Sequence, residues 1–410
     1  MATATSSTRV AGANGLLRRR PVAWLTLSFT FFTVTFGTNV PTPLLLVYRH
    51  DLHLSQATLT AIFGVYAAGL VPALLLAGSS SDRVGRRKVM VPFVVLSALA
   101  SLVFIPAVHS VPLLFLGRFL QGVVSGVVFS VGSAWLQELS DPARPELAAR
   151  RAALAMTGGF SLGPLTSGLL AQWAPAPTTL PYLVHTALVT IGLLAVLPVA
   201  ETVLVPRAGR LIQLGLPPGT ARTFWLVLAP MAFCVFAFPS VTITVLPLML
   251  DLGRYPLALT GLLGAITLGA GFAIQPVGRH LGTWTAPAGV GLGAAGFALS
   301  IVAAQVGGAA LLVVVSLLLG GGSGLCLFAG LTLVQQLSPP QTRGALNAAF
   351  YACAYVGFAA PFVLSLAIRH LGLTTPYAGA AVGFALLAAW YLRDRRREAS
   401  SPYPGPGSDG

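Results

Sequence analysis

The sequence predicts an all-α membrane protein: twelve transmembrane helices in two pseudo-symmetric six-helix bundles. Three observations carry this expectation. Of 410 residues, 55% are hydrophobic and only 8% charged, far below the roughly one quarter of charged residues in a soluble domain. Stretches of about 20 apolar residues, enough helix to cross roughly 30 Å of hydrocarbon, recur twelve times between charges, prolines and polar turns. The second half of the chain also repeats landmarks of the first. The 45 Gly and 30 Pro suit closely packed, kinked membrane helices better than alternating barrel strands.

Charges bound the spans in order. The first, 22–47, follows Arg9, Arg18, Arg19 and Arg20, and is too long for the apolar core of a signal peptide. The second, 55–77, and third, 89–109, flank Arg83, Arg86, Arg87 and Lys88. The fourth, 112–136, and fifth, 148–173, meet around Arg144, Arg150 and Arg151. The sixth, 181–201, leads through Arg207, Arg210 and Arg222 to the seventh, 223–249. The eighth, 257–280, ends at Arg279, and the ninth, 284–305, and tenth, 309–336, precede Arg343. The eleventh, 343–369, and twelfth, 373–392, are followed by Arg393, Arg395, Arg396 and Arg397. Twenty of the 24 basic residues thus fall on one side, and only Arg49, Arg254 and Arg369 on the other. Short loops rich in Lys and Arg stay cytoplasmic, so both termini are expected in the cytoplasm and the protein in the cell inner membrane. The net charge of +14 then reads as topology and contact with anionic lipid head groups, not as a nucleic-acid surface.

The duplication is visible in landmarks. Gly126 precedes Leu139-Ser140-Asp141-Pro142 as Gly324 precedes Leu337-Ser338-Pro339-Pro340, and Gly163-Pro164 in the fifth span has Ala360-Pro361 in the eleventh. The expected organisation is a disordered cytoplasmic tail over 1–21, bundles over 22–201 and 223–392, a linker over 202–222 in which Pro217-Pro218-Gly219 interrupts helix, and a cytoplasmic tail over 393–410.

Between the second and third spans stands Gly78-Ser-Ser-Ser-Asp82-Arg83-Val-Gly85-Arg86-Arg87-Lys88. Gly78 permits close helix approach, Gly85 permits a turn at positive φ, and Asp82 can pair with its arginines or sit at a helix N-terminus. A positive-inside loop with one compensating acid would account for the same residues. The run resembles the signature loop of the major facilitator superfamily, G-x-x-x-D-R-x-G-R-R-x, at every defined position. That resemblance implies a rocker-switch secondary transporter whose two halves enclose a central cavity open alternately to either side. It also implies that Asp82 and its arginines form a cytoplasmic gate contact near Gln341–Gly344.

The fourth span carries Arg118-Phe-Leu-Gln121-Gly122-Val-Val-Ser-Gly126. A long side chain such as Arg118 can snorkel to the interface. The run is also similar to the second signature of proton-linked family members, which implies that Arg118 with Gln121 and Gly122 serves proton coupling or holds substrate. The fifth span carries Gly159-Phe-Ser-Leu-Gly163-Pro164-Leu-Thr-Ser167-Gly168. Small residues at four-residue spacing serve packing in any membrane helix, yet the run resembles the antiporter signature of family exporters and departs from it only at Ser167. Ser161 within a G-x-S-x-G window and Gly291-Leu-Gly-Ala-Ala-Gly296 lack the strand-to-helix context of a hydrolase or a dinucleotide fold. No enzymatic activity and no cofactor are expected. Cys234, Cys326 and Cys353 lie inside spans without metal-ligand spacing, so no metal is expected either.

Asn347, Tyr351 and Tyr355, four residues apart, share one helix face. With Asn39, Tyr66, Phe233 and Phe236 they are the candidate lining of an amphipathic, aromatic cavity; helix packing explains any one of them as well. None of the ten acids falls in the middle of a span, which disfavours a cationic drug and leaves Asp51, Asp82 or His185 for coupling. The expected function is proton-coupled efflux, by a monomer, of a neutral or anionic drug-like small molecule. Import of a small metabolite and a non-transporting membrane sensor are the alternatives.

Overall fold

The computed structural model describes residues 20–141, 144–203, 216–339 and 343–399; the expected tails and much of the expected linker lie outside them. All regular structure among these residues is helical, as a chain this apolar requires, since every backbone polar group in hydrocarbon must be satisfied internally. Two compact units form. One comprises Met1–Ser55, Ile62–Ile212 and Thr260–Ala265, the other Gln56–Ala61, Gln213–Leu259 and Ile266–Gly410.

The first unit begins with α1 (Arg20–Thr38) and α2 (Pro41–Asp51), which divide the first expected span. Pro41 and Pro43 withhold the two N–H groups that would have continued α1. Then come α3 (Gln56–Val84), which starts outside the unit, α4 (Arg86–Val103), α5 (Val111–Leu139), α6 (Pro145–Trp173) and α7 (Leu180–Val196). α1 packs on α5, α6 and α7, and α4 packs on α5 and α7. The signature run after the second span is mostly helix: Gly78 to Val84 form the last two turns of α3, and Gly85 alone (φ 115°) separates it from α4.

In the second unit a short turn of π-helix (Phe224–Leu228) leads into α8 (Ala229–Met249). There follow α9 (Pro256–Ala273), α10 (Gln275–Leu281), α11 (Thr285–Val306) and α12 (Ala309–Leu337). The eleventh expected span is broken into α13 (Arg343–Val356), a 3-10 turn over Gly357–Ala359 and α14 (Ala360–Leu371). The last helix, α15 (Thr374–Ala399), continues past the expected end at 392, because Arg, Glu and Ala favour helix and no proline intervenes before Pro402. Here α11 packs on α12 and α15, and α8 on α12 and α13.

Helix covers most of each of the twelve expected segments, though α7 stops five residues short of the expected end at 201. Eight helical stretches among the described residues are long and apolar enough to cross a membrane, one of them, Pro256–Val306, spanning two expected segments. The third, fifth and sixth expected spans are not among them: α4 opens on Arg86-Arg87-Lys88, α6 is rich in Gly, Ser and Thr, and α7 is a shorter apolar helix.

Candidate functional site

Three clusters are built into the first unit. The first lies where α3 passes into α4. Arg86 is buried and its guanidinium is held on three sides. It makes a forked pair with Glu138, Nε to Oε2 at 3.3 Å and Nη2 to Oε1 at 3.0 Å, and donates from Nη1 to Ser81 Oγ at 2.5 Å. Asp82 Oδ1 lies 2.5 Å from Nη2, a charge contact rather than an aligned hydrogen bond. Burial works against the charge on Arg86, but Glu138 and then Asp82 outweigh it and hold its pKa above the ordinary guanidinium value. Asp82 therefore pairs with Arg86, one turn further on; Arg83 and Arg87 are exposed. A Cβ on Gly78 would meet the Ser130 side chain, at Oγ, at 3.0 Å. Gln341 lies outside the described residues. The sequence reading missed Glu138, two residues past the end of the fourth expected span, as the partner of Arg86.

The second cluster surrounds Arg118, which is 2% exposed and buried rather than snorkelling. Its Nη1 donates to the carbonyl of Thr38 at 2.6 Å and to Gln121 Oε1 at 3.1 Å, and Nη2 donates to the carbonyl of Phe63 at 3.3 Å. The guanidinium also lies over the rings of Phe63 and Tyr66, at 4.9 and 5.0 Å from their centroids. None of these contacts is with a carboxylate. Gln121 Nε2 donates to the carbonyl of Gly37 at 2.9 Å. The proline break explains both bonds: Pro41 cannot donate to Gly37, and Thr42 N–H turns to Asn39 at 3.1 Å, leaving Thr38. Arg118 thus satisfies a carbonyl that the broken helix leaves open, and Gln121 adds a second donor to that of Gly37, which also takes the Val40 N–H at 3.3 Å. A Cβ on Gly122 would lie 2.0 Å from the carbonyl of Tyr66, so this glycine lets α3 and α5 touch backbone to backbone.

The third cluster joins α6 to α1. A Cβ on Gly159 would meet the Phe32 carbonyl at 2.6 Å, and one on Gly163 the Phe36 carbonyl at 2.1 Å. Pro164 frees the carbonyl of Phe160, and Asn39 Nδ2 approaches it at 3.5 Å. Ser167, the departure from the family pattern, donates to the carbonyl of Val40 at 2.6 Å, within the α1–α2 break. Gly168 is buried.

His185 is buried on α7. Its Nε2 donates to the carbonyl of Thr33 at 3.1 Å, which fixes the tautomer, and Nδ1 accepts from Ser101 Oγ at 2.6 Å. Both ring nitrogens are thereby engaged. Asp51 pairs with the adjacent His50 at 2.9 Å on the surface.

In the second unit Tyr351, Tyr355 and Phe236 come together, with Phe358 added. Phe236 stacks on Tyr355 at 4.9 Å and on Phe358 at 5.0 Å, and Tyr351 stacks on Tyr355 at 6.2 Å. The break between α13 and α14 brings Phe358 into this ladder of near-parallel rings. The Gly357 carbonyl takes the Ala360 N–H that closes the 3-10 turn and, with no N–H at Pro361, also the hydroxyl of Ser240, which donates at 3.3 Å; Gly357 lies against the backbone of Phe233 and Ala237. Asn347 and Phe233 are half-buried and no ring contact draws them into the ladder. Among the described residues no group of three His, Cys, Asp or Glu side chains could hold a metal ion.

The family model described as the Major Facilitator Superfamily matches residues 27–360. The chain is 40% identical over 94 residues to multidrug resistance protein MdtL of Escherichia coli and, equally, to that of Shigella boydii. That match takes in 23% of this chain, and the chain spans about a quarter (24%) of the length of these relatives. Among solved structures, a POT family transporter in complex with 5-aminolevulinic acid is similar with a TM-score of 0.75 at 14% identity, covering 93% of this chain and 96% of that one. Peptide transporter POT in complex with sulfate gives 0.73 at 15% identity, covering 92% and 94%. At such identities the likeness is one of fold.

Proposed function

The chain belongs to the Major Facilitator Superfamily, and from that premise we propose that it is a proton-coupled efflux transporter of a neutral or anionic drug-like small molecule, working by alternating access. In this reading it is a monomer of the cell inner membrane that crosses twelve times, with both termini in the cytoplasm, an N-terminal half over 22–201 and a C-terminal half over 223–392. The observation that carries the substrate charge is Arg118: a buried cation whose contacts are carbonyls, an amide and two rings, with no carboxylate among them. A second cation brought near it would be repelled without compensation, whereas a neutral or anionic molecule would not.

Efflux is favoured by two things: the antiporter-like run Gly159, Gly163, Pro164 and Gly168, and the partial similarity to a protein named for multidrug resistance. The ring ladder of Tyr351, Tyr355, Phe236 and Phe358 supports a substrate with a flat aromatic part, since rings stack on rings with a gain of about 1 kcal/mol each. Asp82 with Arg86 would act at the gate, biasing the equilibrium between states only as far as their contacts differ between them.

The test is uptake of a panel of aromatic compounds of each charge type into inverted membrane vesicles energised by a proton gradient. The expected result is accumulation of neutral or anionic members that a protonophore abolishes. Accumulation of cationic members alone would reject the charge assignment, uptake only in right-side-out vesicles would reverse the direction, and no flux in either would reject transport of this class.

A further inference from the structure

Glu201 lies five residues beyond the end of α7 and belongs to neither the signature loop nor any helix. Its carboxylate accepts four backbone N–H groups. Oε1 takes those of Arg86 at 2.8 Å, Thr202 at 3.0 Å and Val203 at 3.1 Å, and Oε2 takes that of Arg87 at 3.0 Å. The amides of Arg86 and Arg87 open α4, so they have no partner within the helix and stand at the positive end of its dipole. Gly85, the residue before them, offers no side-chain cap, and a Cβ there would fall 2.6 Å from Glu201 Oε2. Gly85 therefore does two things: it turns the chain at positive φ and it leaves room for a carboxylate that arrives from α7.

The next residue closes a ring of contacts. Thr202 Oγ1 donates to Glu138 Oε2 at 2.5 Å, the same carboxylate that grips Arg86, and Trp135 Nε1 donates to the carbonyl of Ala200 at 3.2 Å. Contact thus runs from Glu201 to the α4 amides, through Arg86 to Glu138, and through Thr202 back to Glu201. A simple helix cap would need only the first two amides.

We infer that Glu201 is a positioning residue that clamps the start of the segment after α7 to the Asp82–Arg86 motif, so that the two move as one piece. The inference rests on the two-half transporter reading in taking that segment as the linker; movement of the linker would then reach Arg86 without passing through α3. A carboxylate with four amide donors suits this role because a carboxamide cannot replace it: Glu201→Gln leaves the three amides on Oε1 a weaker, uncharged acceptor and turns an N–H₂ toward the fourth, that of Arg87.

The test is residue-resolved amide hydrogen exchange on the full chain in lipid nanodiscs, with flux measured beside it. In Glu201→Gln the amides of Arg86, Arg87, Thr202 and Val203 should all exchange faster, by roughly tenfold or more, the loss expected when a bond to a charged acceptor is given up. Amides in the middle of α5 should not change. Maximal flux should fall by about tenfold with KM unchanged, since loss of one charged-acceptor bond is of that size and no substrate contact is altered. Faster exchange at Arg86 and Arg87 alone would reduce Glu201 to a cap and overturn the clamp, as would no change at any of the four. Faster exchange at all four with normal flux would overturn the positioning role. If Glu201→Gln fails to fold, Thr202→Val keeps the carboxylate and removes only the closure to Glu138; unchanged exchange at Arg86 and Val203 in that variant would equally refute the clamp. A wild-type chain with no flux would refute the transport reading and leave exchange to decide the clamp.

Discussion

Replacing Arg118 by Met separates two roles for a cation in the interior of a membrane helix. Methionine fills much of the same volume without charge or donors. It would remove three hydrogen bonds, to the carbonyls of Thr38 and Phe63 and to Gln121 Oε1. At about 1.5–3 kcal/mol each for bonds from a charged donor, these amount to roughly 5–9 kcal/mol. The two ring contacts, at 4.9 and 5.0 Å, add about 1–2 kcal/mol in all. Against this, the variant no longer carries a charge into the bilayer, which returns about 3 kcal/mol. The loss exceeds the gain across these ranges, and a net destabilisation on the order of 2–8 kcal/mol follows. The assay is denaturant titration in mixed micelles of purified protein whose membrane insertion has been verified, with flux measured in parallel. Arg118→Lys should fall between wild type and Arg118→Met, because an ammonium can still reach one carbonyl but lacks the planar fork. Equal or greater stability in Arg118→Met would refute the assignment of Arg118 as the strut of the α1–α2 break. Loss of flux with stability intact would make it a working charge instead.

Further outcomes are expected. Asp82→Asn should abolish or strongly slow flux without reducing insertion, and normal turnover in reconstituted vesicles would contradict a gate role. Glu138→Gln should destabilise the protein by about 1.5–3 kcal/mol, because Arg86 keeps Asp82 and Ser81 but loses the charge of its forked partner; thermal unfolding of the purified protein reads this directly. Gly163→Val should lower the yield of monodisperse protein on size-exclusion chromatography, since its Cβ would stand 2.1 Å from the Phe36 carbonyl and over-packing costs about 1–3 kcal/mol or more. Ser167→Gly restores the family pattern but removes the bond to Val40, so it should cost about 1 kcal/mol and leave flux in place.

What the sequence made legible is what local chemistry dictates. Apolar runs between charges located the helices with ends off by up to seven residues and without the breaks inside the first and eleventh spans, the Asp82 to Arg87 spacing marked a turn at Gly85, and four-residue glycine spacing marked faces of close approach. What it did not make legible is which distant groups meet. Glu138 and Glu201 lie 52 and 115 residues from Arg86, and nothing near either acid announces that partner. Gln121 and Asn39 drew attention as polar residues in apolar helices, with proton, substrate or cavity roles in view. Both reach backbone carbonyls whose helical donor four residues on is a proline, a matching of donors that becomes visible only once the helices are side by side. Phe358 escaped notice because its place beside Phe236 depends on the 3-10 turn at Gly357–Ala359.

The single residue between α3 and α4 has a mechanical consequence. A loop of several residues would act as slack, letting one helix tilt while the other stayed still. Gly85 gives no slack: a rotation of α3 must either turn α4 with it or be absorbed in one pair of backbone torsions. The joint therefore behaves as a rigid elbow whose angle has one adjustable point. A replacement that restricts that residue's torsions would be felt along the whole length of both helices, more than 25 Å in the case of α4 at 1.5 Å for each of its 18 residues.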